Sequence, residues 1–138
     1  MLTVSEIIIR LVVATILCTL FGLEREQKHK EAGLRTNVLV GLGSALIMIV
    51  SLSFDFDPAR IAAGIVTGIG FLGAGVIIHD RKEIHNITTA ATIWMVAAVG
   101  MAVGLGYYTA AITASVISLV FLYVIGNPKI RKVTKLDN

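Results

Sequence analysis

The sequence predicts an all-α protein, an integral membrane bundle of five transmembrane helices. Its composition is strongly apolar, because 56% of the 138 residues are hydrophobic and 15% are charged, with a mean hydropathy of +0.85. Soluble domains carry roughly 25% charged residues. The apolar residues also fall into five runs, each close to the roughly 20 residues that a helix needs to cross a bilayer. Composition and run length therefore predict the same fold class.

The first predicted helix covers residues 7–23 and carries one charge, Arg10, whose long side chain can reach the membrane interface. No small-residue cleavage site follows it, which favours a retained helix over a signal peptide. The other predicted helices cover residues 37–52, 58–78, 87–103 and 109–125. Asp57 and Pro58 predict the N-cap and first position of the third helix, and Asn86 predicts the cap of the fourth.

The third helix is predicted to lie at the centre of the bundle. Residues 61–78 contain no charge and five of the thirteen glycines, and Gly64, Gly68 and Gly75 share one helical face. In lipid, such a face lets neighbouring backbones approach closely. The glycines expected to pack helices together are Gly64, Gly68, Gly73, Gly75, Gly100 and Gly104. Self-association through the Gly64/Gly68 or the Gly100/Gly104 pair would give a homo-oligomer.

The apolar runs also contain one thiol and one indole, Cys18 and Trp94. Cys18 is the single cysteine, so no internal disulfide forms and a packed or lipid-facing thiol is expected. Trp94 lies inside the predicted fourth helix, where its indole N–H needs a partner. We expect that partner within the bundle or on a docked protein.

The basic residues predict the orientation. Ten of the twelve lysines and arginines fall in residues 24–35, residues 79–85 and the tail after the last helix. Cytoplasmic loops are enriched in these residues, and five spans place all three segments on one side. The N-terminus is therefore predicted outside and the C-terminus in the cytosol. Residues 1–126 form the transmembrane domain and residues 127–138 a short basic cytosolic tail.

Polar residues gather at the predicted cytosolic ends of the first four helices. They are Glu24, Arg25, Arg35, Thr36, Asn37, Asn86, Thr88 and Thr89. Polar groups near hydrocarbon are costly, so their clustering indicates a mutually satisfied network or a functional site. Three interpretations stay open: a purely structural network, contact with a ligand or ion, and docking of a partner protein.

Four sequence blocks resemble the signature of the MgtC/SapB family. They are GLEREQ from Gly22, AGLRTNVLVGLGSAL from Ala32, RIAAGIVTGIGFLGAGVI from Arg60 and TTAATIW from Thr88. The resemblance implies a multi-pass protein of the bacterial inner (cytoplasmic) membrane, linked to adaptation to low magnesium and to virulence. It also implies inhibition of the F-type ATP synthase.

The chain departs from the family pattern at two places. Asn86 and Ile87 stand where the family usually has glycine and leucine before the Thr-Thr-Ala-Ala segment. Many members also carry a soluble cytosolic domain after the last helix, whereas only residues 127–138 follow Gly126 here. Activities that need such a domain are accordingly not expected of this sequence.

The residues and the resemblance together predict a regulator that binds another membrane protein such as the F-type ATP synthase. The alternative is a transporter or channel for Mg²⁺ or another cation, for which Asp55, Asp57 and Glu24 are weak metal candidates. No predicted helix carries an acid at mid-membrane depth, as transport usually requires. His79 and His85 lack a known metal-ligand spacing. We expect no enzymatic activity, no cofactor and no nucleic-acid partner.

Overall fold

The computed structural model describes residues 2–54, 57–79 and 84–125 and consists of five long helices. The helices are α1 (Val4–Gln27), α2 (Leu34–Ser51), α3 (Pro58–Val76), α4 (Ile87–Gly104) and α5 (Tyr108–Ile125). Each of them is long and apolar enough to cross a membrane. The predicted five-helix membrane bundle is confirmed. Which side of the membrane each end faces remains a prediction, and the basic tail lies outside the described residues.

A short antiparallel hairpin connects α3 to α4, where the sequence predicted a charged loop. Its strands are β1 (Ile78–His79) and β2 (Ile84–His85), and Ile78 pairs with His85. The two strands hold the end of α3 close to the start of α4, which places these two helices side by side and antiparallel.

Two helix starts are fixed by local caps. Thr3 and Glu6 form a capping box at α1, in which the Thr3 amide donates to Glu6 Oε2 at 2.7 Å and the Glu6 amide donates to Thr3 Oγ1 at 3.3 Å. Asp57 Oδ1 accepts from the Ala59 amide at 2.9 Å, with Pro58 following it. The predicted start of the third helix is confirmed.

The helix at the centre of the bundle is α4, which packs against each of the other four helices. Its buried residues include Val96, Val99 and Val103, whereas α3 buries only Ile65 and Gly73. The prediction that the third helix is central is therefore wrong. A glycine-rich face permits a close neighbour but does not require one, and the position closest to α2 is taken by the small residues of α4.

The closest helix contact joins α2 and α4, which run parallel. Gly100 lies directly against the backbone carbonyl of Gly41, and a Cβ added at Gly104 would stand 2.6 Å from the carbonyl oxygen of Ala45. The Cys18 Sγ of α1 fills the space that a side chain at Gly41 would need. Three helices thus meet at nearly bare backbone, and the buried cluster around this contact is made of apolar and small residues.

The glycines of α3 behave differently from those of α4. A Cβ at Gly64, Gly68 or Gly75 would meet nothing within 4 Å, and one at Gly73 would touch only Ala90 of α4, with its Cβ at 3.7 Å. A side chain at three of the predicted packing glycines would therefore meet no other described part of the chain, so these positions do not hold a close helix contact within it.

Trp94 lies on the outer side of α4. Its side chain is 49% exposed, and within the described residues its indole N–H makes no hydrogen bond. The expected bond inside the bundle is absent there because the buried faces of α4 are occupied by valine, glycine and alanine contacts with α1 and α2.

Candidate functional site

We call one end of the bundle the charged end; it contains the C-terminal ends of α1, α3 and α5 and the N-terminal ends of α2 and α4. Glu24, Arg25 and Lys28 form its ionic centre. Arg25 Nε donates to Glu24 Oε2, and Lys28 Nζ lies 2.8 Å from Glu24 Oε1. The Glu24 carboxylate is thus held between two cations, which offset its charge.

Arg25 is buried in this cluster and Lys28 extends from it. The Arg25 side chain is only 4% exposed. Lys28 Nζ donates at 2.9 Å to the carbonyl oxygen of Leu122 and stands 5.8 Å from the centre of the Tyr123 ring. A cation on the last carbonyls of a helix is stabilising, so Lys28 joins the first inter-helix loop to the end of α5.

The loop between α1 and α2 is fixed by Asn37. This residue is fully buried, and its Nδ2 donates to the carbonyl oxygens of Ala32 and Gly33. Ala32 has a positive φ of 55°, which is an uncommon conformation for a residue with a Cβ. Asn37 therefore stabilises a strained turn, while its Oδ1 has no hydrogen-bond partner among the described residues.

Glu26 also supports this loop, although no sequence pattern marked it as a candidate. Its Oε2 accepts from the Leu34 amide at 3.1 Å, which satisfies one of the free N–H groups at the start of α2. By contrast, Arg35 and Thr36 are exposed on the first turn of α2, and their side chains make no hydrogen bond or ion pair with the described residues. They do not join the ionic centre.

The start of α4 forms a separate arrangement. Asn86 adopts a left-handed conformation with φ of 67°, and its side chain makes no cap hydrogen bond to α4. Its Nδ2 instead donates to the Val76 carbonyl at 3.4 Å. Asn86 is the N-cap residue of α4 by position, as predicted, but its side chain does not cap the helix because the left-handed backbone turns the amide towards the end of α3.

Thr88 and Thr89 follow Asn86 but face different surroundings. Thr88 is exposed, and its carbonyl accepts from Thr92 Oγ1 at 2.8 Å. Thr89 is buried in the bundle. The structure therefore brings the predicted residues to one end of the molecule, where three local arrangements form around Glu24, Asn37 and Asn86, while Arg35 and Thr36 stay apart from them. No hydrogen bond between the described side chains links these three.

The sequence model of the MgtC family matches residues 11–129. This range covers α1 from its second turn through α5 and includes every residue of the three arrangements. The chain belongs to the MgtC family. It is therefore a multi-pass membrane protein, as the resemblance of its four sequence blocks predicted.

Named relatives support the same assignment. The "Putative magnesium transporter YhiD" of Escherichia coli K12 is 51% identical over 130 residues, covering 87% of this chain and 60% of YhiD. "Protein MgtC" of Salmonella typhimurium strain LT2 is 45% identical over 113 residues, covering 81% of this chain and 49% of its own. The chain thus spans about half to 60% of the length of these relatives. No solved structure matches this MgtC-family chain.

Two of the three candidate metal ligands of this MgtC-family chain already contact other groups of the protein, and the third lies outside the described residues. Asp57 caps α3, Glu24 is paired with Arg25 and Lys28, and Asp55 lies outside the described residues. Among the residues that the structure describes, no three His, Cys, Asp or Glu side chains are grouped closely enough to hold a metal ion. A cation at Glu24 would have to displace one of its two present partners.

At the opposite end of the bundle, Arg10 makes a contact that the sequence did not predict. Arg10 Nη1 donates at 2.6 Å to the carbonyl oxygen of Gly104. Instead of extending to the interface alone, the guanidinium turns to the C-terminal end of α4. Each end of this bundle therefore has a cation that donates to a carbonyl near the end of a helix.

Proposed function

We propose that this chain is an integral membrane regulator linked to magnesium homeostasis, which acts by binding another membrane protein inside the bilayer. The observation that carries the proposal is the tightly closed interior. Gly100 of α4 lies against the Gly41 carbonyl of α2. The buried side chains around them are apolar apart from hydroxyls such as that of Ser44, which donates to the Val40 carbonyl of its own helix. Ion pathways need polar or ionisable groups at depth, so the outer surface is the better candidate for activity.

That outer surface is apolar and helical. On α5, large side chains are exposed along most of the helix, among them Ile117, Val120, Phe121 and Tyr123. Helices in lipid associate by packing of such surfaces against one another. The partner in this proposal is therefore a transmembrane helix of another protein in the bacterial inner membrane. The F-type ATP synthase is the first candidate, because the family resemblance implies it, and adaptation to low magnesium and virulence would follow from that interaction.

The charged end supports a structural role for most of its residues. Glu24 forms ion pairs with Arg25 and Lys28, and Lys28 also donates to a carbonyl near the end of α5. In this proposal they fix the relative positions of α1 and α5 and so shape the surface offered to the partner. Arg35 and Thr36, which are exposed beside them, are available to contact parts of the partner that extend from the bilayer.

The test uses inverted membrane vesicles from bacteria that express the full chain. A photo-crosslinking residue replaces the exposed Phe121, and ATP-driven proton pumping is measured in the same vesicles. We expect crosslinking to an ATP synthase membrane subunit, competition by the unmodified chain, and reduced pumping relative to vesicles without it. Unchanged pumping without a crosslinked subunit would contradict the ATP synthase as partner.

The second candidate function is transport of Mg²⁺, which the name of the Escherichia coli relative favours. The purified chain in liposomes that enclose a Mg²⁺ indicator separates the two functions. A regulator gives the same signal as empty liposomes. A transporter gives flux that falls in Glu24→Gln, while Glu31→Gln, at an exposed loop position, has no effect. Such flux together with normal ATP synthase activity would replace our proposal.

A further inference from the structure

An apolar groove with a volume of about 660 Å³ opens between α2 and α3. Its α2 wall includes Leu39 and Gly43, and its α3 wall includes Gly64, Gly68 and Leu72. A Cβ added at any of these three glycines would meet no atom within 4 Å. Both walls therefore expose bare backbone to whatever lies outside the chain.

Beside this groove, α3 carries a protruding aromatic ring. Phe71 is 82% exposed. Because successive helical residues are rotated by about 100°, Gly64, Gly68, Phe71 and Gly75 fall within a sector of about 60° on one face of α3. The same face thus presents a large apolar side chain and the bare backbone that could receive one. A surface with both features is complementary to itself.

Phe71 and one end of the groove also lie at the same depth in the membrane. Phe71 precedes Leu72, and Leu72 and Leu39 line the groove near the charged end, where α3 ends at Val76 and α2 begins at Leu34. A two-fold axis along the membrane normal leaves every residue at its own depth. The Phe71 ring of one copy would therefore stand level with the end of the groove in another copy, as a closed two-fold interface requires.

The other glycine pair is not available for such a contact. Gly100 and Gly104 are covered by Gly41 and Ala45 of α2 within the same chain. Of the two glycine pairs that the sequence offered for self-association, only Gly64 and Gly68 remain open. Close approach of helix backbones at small residues is a common basis of helix association in lipid.

We infer that α3 forms a two-fold contact with α3 of a second copy, with Phe71 of each copy seated in the α2–α3 groove of the other. The occupant of the groove is a second copy of this chain. The inference concerns the α3 side of the molecule and does not depend on the function proposed above.

Cysteine crosslinking in liposomes tests the contact directly. The full chain carries Cys18→Ala to remove the native thiol and Gly68→Cys to place a new one at the centre of the α3 face. The matched control is Ile117→Cys, on α5, which is also well exposed. At high lipid excess, oxidation is expected to give a covalent dimer from Gly68→Cys and monomer from Ile117→Cys.

The dissociation equilibrium gives a second measurement on the chain without added cysteines. Energy transfer between labelled copies is followed as lipid dilutes the protein. We expect Phe71→Ala to weaken dimerisation about tenfold or more, which corresponds to about 1.4 kcal/mol, and Phe121→Ala on α5 to leave it unchanged. Helical content by circular dichroism shows that both variants remain folded.

Three outcomes would overturn the inference. One is equal crosslinking at Gly68→Cys and Ile117→Cys, which would indicate random encounters. Another is a monomer at all lipid ratios, which would mean that lipid chains fill the groove. The third is crosslinking of Gly68→Cys in native membranes to a different protein in place of a second copy.

Discussion

Arg10 Nη1 donates a 2.6 Å hydrogen bond to the carbonyl oxygen of Gly104, 94 residues further along the chain. The first helix thereby provides a cation for the C-terminal end of the fourth. The last carbonyls of a helix lack partners within it and carry partial negative charge. A single side chain thus joins α1 to the central helix at the end opposite to the ionic centre of Glu24.

Replacing Arg10 should destabilise the bundle. Hydrogen bonds to charged groups are worth about 1.5–3 kcal/mol, so we expect Arg10→Leu to lower the free energy of unfolding in detergent by about that amount. The control is Arg60→Leu, at an exposed position in the first turn of α3 at the same end, for which we expect a change within about 0.5 kcal/mol. Equal effects of both variants would show that only the charge at this end matters.

Gly41 is predicted to be intolerant of any side chain. The Cys18 Sγ occupies the position of its missing Cβ, and Gly100 packs on its carbonyl. Overpacking typically costs about 1–3 kcal/mol, so Gly41→Ala should lower the unfolding midpoint clearly. Gly43→Ala, two residues away with nothing near its Cβ, should be neutral or slightly stabilising because alanine favours helix.

The Cys18→Ala background refines this test. Removing the sulfur relieves part of the overlap, so Gly41→Ala should cost less in Cys18→Ala than in the native chain. The difference is the coupling energy of a double-mutant cycle. Additive effects of the two substitutions would contradict the contact.

Lys28 is expected to matter more than its neighbour Lys30. Lys28 contacts both Glu24 Oε1 and the Leu122 carbonyl, while Lys30 is exposed. We expect Lys28→Met to lower the free energy of unfolding by about 1.5–3 kcal/mol and to increase proteolysis at the end of α5. We expect Lys30→Met to do neither. Protection of α5 that is equal in both variants would argue against the tether.

Trp94 is the only tryptophan, so its fluorescence reports one position. It lies near the middle of α4 and is 49% exposed on the outer side of the bundle. In liposomes, lipids brominated near the bilayer centre should quench its emission more strongly than lipids brominated near the headgroup. Strong quenching by aqueous iodide would instead place this side of α4 in water and contradict the membrane topology.

The sequence predicted those features that depend on neighbouring residues. Five spans follow from the lengths of the apolar runs, and the Asp57 cap joins residues two positions apart. The contacts of Arg10 with Gly104 and of Lys28 with Leu122 each join residues 94 positions apart. Nothing in the local pattern specifies such partners, so the sequence could not predict them.

The sequence also could not predict which helix lies at the centre of the bundle. Glycine-rich faces on α3 and α4 look alike in one dimension, because either would allow close packing in lipid. The decision depends on which face meets Gly41 and Ala45 of α2, and that is set by the arrangement of three helices. Likewise, Asn86 has the residue type of a cap, but its left-handed backbone directs the amide to Val76.

The central position of α4 has a consequence for biogenesis. A chain is synthesised from its N-terminus, so α1, α2 and α3 enter the bilayer before the helix around which they are arranged. During that interval Gly41 and Ala45, which α4 covers in the finished protein, are open to lipid or to the insertion machinery. A nascent chain halted ahead of Ile87 would hold only the α1–α2 contact and a loosely attached α3, and native packing would be completed only after α4, and then α5, has entered the bilayer.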